Sequence, residues 1–275
     1  MPQNPLQQYF RQPKIFIKLP SQGVYNKPGT IQGDVSNLPV CAMTGMDEII
    51  LKTPDALLSG ESSVKVIQSC CSGIKDAWDL SILDSTLIFT AIRIATFGNT
   101  MSVSNICPKC NTDNDYDLDL GQVIQHFNTV NYQNKIILKD LVINIRPLNY
   151  KESTEFSLKN FQLQQQISQV DTIKDESERQ STINRLFREL AEVRTALYIL
   201  CVESVEIGTQ TVTERSYIQE WMNNCDKDIF DAITNHIEKN REDWRIPAYK
   251  VKCSSCDWDT ELRVELDQSN FFEGA

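Results

Sequence analysis

Two Cys-x-x-Cys pairs, Cys107-Pro108-Lys109-Cys110 and Cys253-Ser254-Ser255-Cys256, are the residues of this chain best placed to do chemistry. Thiolates offered as two such pairs make the closed tetrahedral set that holds a structural Zn²⁺. Stretches that read as β-strand flank both pairs, so each is expected at the bend of a hairpin. Four cysteine ligands leave no coordination position for substrate or water, and the chemistry implied is that of a scaffold. If Cys107, Cys110, Cys253 and Cys256 share one ion, the metal ties the middle of the chain to its end. Such sites bind with about 10–16 kcal/mol in small zinc modules, so metal loss should collapse the β unit. Three alternatives stay open, the plainest being that these are unrelated buried cysteines. One pair could be a redox motif with a depressed thiol pKa, although such motifs open a helix after a strand. Each pair could also recruit its remaining ligands elsewhere in the chain or from another subunit.

Other chemistry-bearing residues form weaker patterns. Asp113, Asp115, Asp117 and Asp119 alternate as in a calcium loop. Leu118 stands where that loop needs glycine, and Ile124 where it needs its last glutamate. On a strand the four aspartates share one face, with Tyr116, Leu118 and Leu120 on the other. That is a solvated sheet face or, alternatively, a docking surface for a basic partner. The two histidines, His126 and His236, have no carboxylate or serine at meaningful spacing. Asp76 and Asp79, near Asp84, read as loop and helix-start caps around Trp78, with a paired-carboxylate site as the alternative. No phosphate loop, nucleophile elbow or zinc-protease helix occurs, so the chain is expected not to be an enzyme.

Composition narrows the classes further. The 275 residues carry a net charge of −10, with a pI near 4.8. Such acidity gains nothing from phosphate neutralisation, which disfavours nucleic acid as a partner. The polar N-terminus has no apolar signal region, and no run of about 18 apolar residues suggests a membrane span. Nine cysteines, two of them adjacent (Cys70-Cys71), fit a reducing cytoplasm better than a disulfide framework.

The elements that must position the cysteines follow from periodicity. Residues 1–40 read as an extended arm whose strand, Lys14 to Leu19, runs into a turn at Pro20-Gly23. Residues 41–98 read as a helical bundle. Thr44 and Asp47 suggest a capping box, and Thr53-Pro54 opens a short helix that Gly60 closes. A stripe of Val64, Ile67 and Cys71 ends at Gly73, and a helix from Ser81 to Phe97 stops at Gly98. Residues 99–147 and 246–275 read as one zinc-ribbon-like β unit. Its strands are 101–106, 113–120, 135–138 and 141–147, with a hairpin over 246–267. Residues 148–245 read as a helical insertion: an antiparallel hairpin over 149–205 turning near Thr172-Asp175, then two helices over 213–240. The fold class is therefore α+β.

Several short motifs, taken in order, resemble the baseplate hub and hub-assembly proteins of T-even-type contractile-tail bacteriophages. They are Leu19-Pro20-Ser21-Gln22-Gly23-Val24-Tyr25, Met43-Thr44 with Asp47-Glu48 and Leu51, and Thr53-Pro54-Asp55-Ala56-Leu57-Leu58-Ser59-Gly60. Leu83-Asp84, Arg93-Ile94-Ala95-Thr96-Phe97-Gly98, the first cysteine pair, Asp117-Leu118-Asp119-Leu120 and Phe271-Phe272 complete the set. The resemblance implies a non-enzymatic protein that builds the tail baseplate in an infected bacterium. Its partners would be other hub, tube-initiator or tape-measure proteins. It would act as a structural component of the virion tail or, alternatively, as a transient assembly chaperone. A zinc-ribbon nucleic-acid adaptor and a thiol oxidoreductase are the competing classes. Within the arm, Ile15, Phe16, Ile17, Leu19, Pro20 and Tyr25 are the expected subunit contacts.

Overall fold

Arg11 fastens the N-terminal arm to the rest of its own chain. Its guanidinium donates to the Ala42 carbonyl (2.8 Å), the Asp47 carboxylate (3.0 Å) and the Ser69 carbonyl and hydroxyl (2.5 and 2.7 Å). A computed structural model describes residues 4–52 and 59–263. The short helix expected after Thr53-Pro54 and the Phe271-Phe272 segment lie outside those residues. The chain divides into two compact units, Met1–Asn131 with Trp244–Ala275, and Tyr132–Asp243.

In the first unit, β1 (Pro13–Ile17) pairs antiparallel with β2 (Leu38–Cys41). Helix α1 (Gly45–Leu51) opens on the capping box: the Thr44 hydroxyl accepts from the Asp47 N–H, and the Asp47 carboxylate accepts from the Thr44 N–H. Helix α2 (Glu61–Cys70) follows Gly60, whose φ of 77° only glycine adopts without strain. Helix α3 (Ile82–Phe97) runs from an N-cap at Ser81 to Gly98. Leu83, Leu87, Ile88, Ala91 and Ile92 are buried on several of its sides. A helix apolar nearly all round takes the centre of a core.

The arm lies on this core. The Leu19 N–H donates to the Val35 carbonyl (2.8 Å), the Gln32 N–H to Gly73 (2.7 Å) and the Lys75 N–H to Thr30 (2.8 Å). This changes the reading of the arm as a subunit contact. Ile17 (4% exposed) and Leu19 (0%) are core side chains of this chain and offer a partner no surface. Ile15, Pro20 and Tyr25 are half-buried, and Phe16 (58%) points outward.

Motifs far apart in sequence meet here. The buried Asp84 carboxylate accepts from the Ser21 N–H (3.0 Å), the Ser21 hydroxyl and the Asn26 amide (2.7 Å). Burial pushes its pKa up, although Asn26 and Ser21 pull against that. The Met43 N–H donates to the Thr96 hydroxyl (3.0 Å) in the same way.

Strands β3 (Thr100–Ile106) and β4 (Asp113–Asp119) form the next hairpin. Residues 121–129, expected within a β-rich stretch, are instead helix α4 (Gly121–Thr129). Val123 and Phe127, four apart, are its buried face, and Phe127 stacks on Trp244 at 5.7 Å.

The second unit holds a four-stranded antiparallel sheet. Its strands, in spatial order, are β5 (Lys135–Leu138), β6 (Leu141–Ile145), β7 (Val202–Ile207) and β8 (Gln210–Val212). From the sequence alone β5 and β6 are expected with the cysteine hairpins, and a helix is expected to run to residue 205. Instead β6 pairs with β7, which turns into β8 through Gly208-Thr209. The helical hairpin is α5 (Tyr150–Gln169) and α6 (Glu176–Cys201), with a small core of Leu163, Val170 and Leu186. Helices α7 (Arg215–Asn224) and α8 (Lys227–Asp243) contribute Ile218, Met222, Ile233 and Ile237 to the core under the sheet. The last hairpin, β9 (Tyr249–Lys252) with β10 (Asp259–Leu262), returns to the first unit.

Two tests follow from these contacts. A Cβ at Gly73 would sit 2.7 Å from the Gln32 carbonyl oxygen and 3.1 Å from Leu38 Cδ1, both on the docked arm. G73A should therefore cost about 1–3 kcal/mol in urea unfolding and speed hydrogen exchange at the Gln32 amide. In the second unit, Arg146 holds Glu152 through two 2.8 Å bonds, and Asn149 completes a capping box with it. Burial alone would raise the Glu152 pKa, but Arg146 and the Asn149 N–H hold it below the usual carboxylate range. A carboxyl held down in the fold stabilises above its unfolded pKa, and that stability drains as pH falls through the folded value. E152Q should lose about 1.5–3 kcal/mol at neutral pH. Its deficit should shrink on acidification, as read by urea unfolding across pH.

Candidate metal centre

The two cysteine loops are built alike. Cys107 N–H donates to the Thr112 carbonyl (2.9 Å), and Cys253 N–H to the Trp258 carbonyl (3.0 Å). Asn111 N–H returns to the Cys107 carbonyl (2.9 Å), and Asp257 N–H to the Cys253 carbonyl (3.1 Å). Asn111 and Asp257 both take left-handed backbone, with φ of 55° and 53°. Asparagine and aspartate tolerate that conformation better than other side chains, which is why each knuckle closes on one. Strands β3 and β4 carry the first knuckle, and β9 and β10 the second.

All four sulfurs come together. Cys107 Sγ lies 3.7 Å from Cys256 Sγ, and Cys110 Sγ 3.6 Å from Cys253 Sγ. The four lie within 4.8 Å of one another. A tetrahedral set of sulfurs about 2.3 Å from a metal has sulfur–sulfur separations of about 3.8 Å. A disulfide would need about 2.05 Å. The cross-hairpin spacing is therefore that of ligands around one ion, and the cluster can hold a metal.

The electrostatics fit a cation. The Ser255 N–H, 3.4 Å from Cys253 Sγ, leads the interactions that pull this thiol down to about 6. The Cys256 thiol is helped to ionise by the Trp258 backbone, but burial and the neighbouring sulfurs outweigh that and push it up to about 12. Four crowded sulfurs cannot all carry charge by themselves. A divalent ion reverses the balance, because a coordinating thiol gives up its proton.

Side chains that hold the hairpins together were only partly visible in the sequence. Tyr116 Oη donates to the Lys252 carbonyl (3.1 Å), and Tyr249 Oη to the Asp119 carbonyl (2.9 Å). Lys109 of one knuckle sits 5.1 Å above the Trp258 ring beside the other. Asn114, on the inward parity of β4 with Tyr116 and Leu118, touches the second knuckle directly; sequence reasoning passed over it. The four aspartates of β4 are exposed on the opposite face, where Ser102 and Ser104 donate to Asp117 and Asp115 (2.6 Å each).

The remaining candidates disperse. Asp76 caps the Trp78 N–H (3.0 Å), Asp79 pairs with Lys27 (2.6 Å), and Asp84 serves the arm. His236 Nε2 hydrogen-bonds the Gln133 carbonyl (2.7 Å) in the second unit. Among the described residues no other cluster of metal-ligating side chains occurs, and no helix is long and apolar enough to cross a membrane.

A model of the T4 bacteriophage base plate protein family matches residues 40–273. The chain belongs to that family, which makes it a structural protein of the phage tail baseplate that assembles with other tail proteins. No curated protein and no solved structure matches it.

Shared ligation has a direct check. Wild-type protein should carry one tightly bound metal ion per chain by elemental analysis. Replacing either pair, C107S/C110S or C253S/C256S, should remove it entirely. Retention of the ion by either variant would mean that the knuckles bind separately.

Proposed function

We propose that this member of the T4 bacteriophage base plate protein family is a non-enzymatic component of the baseplate hub that stays in the finished tail. In this reading Cys107, Cys110, Cys253 and Cys256 hold one structural Zn²⁺, and the two knuckle hairpins form a zinc-ribbon-like unit around it. The observation that carries the reading is the closed four-sulfur set joining chain positions 149 residues apart. All four ligand positions would be taken by protein, so bound zinc would supply cross-linking and no reactive water. A part that stays in a large assembly benefits from such a cross-link, because metal binding free energy becomes folding free energy.

The hub assignment draws on the motifs from Leu19 to Tyr25, from Met43 to Leu51 and from Arg93 to Gly98. Several of these meet in the first unit, where Ser21 meets Asp84 and Met43 meets Thr96. The partners of this reading are other hub, tube-initiator or tape-measure proteins. The exposed Phe16 of the arm, with Tyr9 and Phe10 just before Arg11, is the surface that would meet them.

Quantitative mass spectrometry of purified tails beside infected-cell lysate tests the role. A fixed, low copy number in finished particles is the expected result. Abundance in lysate with absence from particles would replace the structural role with that of an assembly chaperone that departs. Zinc measured in the same purified protein checks the identity of the metal.

A further inference from the structure

We propose that Asn114 is the positioning residue that makes the two cysteine knuckles a single metal site. The proposal rests on the reading of the four cysteines as one site. Asn114 belongs to the first hairpin, yet most of its bonds reach the second. Its Oδ1 accepts from the Ser254 N–H (2.9 Å) and the Ser254 hydroxyl (2.8 Å). Its Nδ2 donates to the Thr112 carbonyl (2.8 Å) and lies 3.6 Å from Cys253 Sγ. An amide has two donors and two acceptor lone pairs, and here all four are used. The orientation is fixed as well, because the Ser254 N–H can only donate and the Thr112 carbonyl can only accept.

Burial makes these bonds count. Asn114 is 5% exposed, and a buried amide is retained in a fold only when its polar atoms are paired. The amide thus reaches both loops at once: it holds the Thr112 end of the first knuckle and the Ser254 turn of the second. It also donates to a ligand sulfur. Outer-shell groups of this kind orient ligands, and losing them costs metal affinity of about 10–100-fold.

Tyr249 provides the contrast. Its bond to Asp119 also joins the hairpins, but at the end of β4 away from the knuckle. General docking of the hairpins and positioning of the sulfurs can therefore be separated by substitution.

The test is cobalt(II) titration of the full chain, followed by the thiolate-to-cobalt absorption, with zinc competition for affinity. Wild type should take one Co²⁺ in a four-thiolate environment. N114A should bind about 10–100-fold more weakly while reaching the same four-thiolate spectrum at saturation. S254A removes one exposed hydroxyl and leaves the backbone N–H, so it should weaken binding by less; it carries the test if N114A does not fold. Y249F should weaken cobalt binding by clearly less than N114A. Wild-type affinity in N114A, or in S254A where N114A does not fold, would overturn the role of Asn114 while leaving the metal site standing. Equal weakening by Y249F would overturn it too, by reducing the effect to hairpin docking. A wild-type chain without four-thiolate cobalt absorption would overturn the metal reading itself, and this proposal with it.

Discussion

Four sulfur atoms brought to the spacing of one coordination sphere are the point on which two hairpins of the first unit converge. They belong to two hairpins that the chain makes far apart, one before the second unit and one after it. Neither hairpin could stand by itself: each has two strands, and an isolated two-stranded hairpin is marginal in water. The reciprocal bonds of Tyr116 and Tyr249 and the amide of Asn114 join the two directly. Because both knuckles use the same backbone bonds and the same left-handed position, the two halves present their sulfurs in matching fashion.

Legibility in the sequence followed the range of the forces involved. Local devices could be read directly: the Thr44–Asp47 capping box, Ser81 and Gly98 at the ends of α3, and the two hairpin bends. The long helices α5 and α6 carried enough periodic residues to declare themselves. Helix α4 did not, because only Val123 and Phe127 mark its buried face. Strand β7 was hidden as an apolar continuation of α6, since Val202 and Val205 suit the end of a helix as well as a strand. Gly208 was the available signal for the turn that follows. The grouping of β5 and β6 was lost for another reason. Which strands pair is decided by long-range packing of Ile143, Ile145, Val202 and Val205, and no local pattern encodes that choice.

Within the candidate site the ligands were legible and their support was not. Cys-x-x-Cys spacing announces itself, whereas a single asparagine in a strand of aspartates looks like one more polar residue. Parity was the clue: Asn114 falls in step with Tyr116 and Leu118, not with the exposed carboxylates. The arm shows the opposite case. Its apolar residues suggested an outside partner, yet Ile17 and Leu19 are consumed by the chain's own core. The residues that make up the recognisable motifs, Ser21, Asp84, Met43 and Thr96 among them, bind one another. They define much of the fold of the first unit, while Val24 of the same motifs stays exposed.

The separation of the two knuckles also sets a clock. A ribosome that has just made Cys107 must add 149 residues before Cys256 exists. At about 5–20 residues per second that interval is roughly 7–30 s. Throughout it only two of the four sulfurs exist, while every residue of the second unit emerges behind them. Every residue of the second unit is thus made before the four sulfurs can come together.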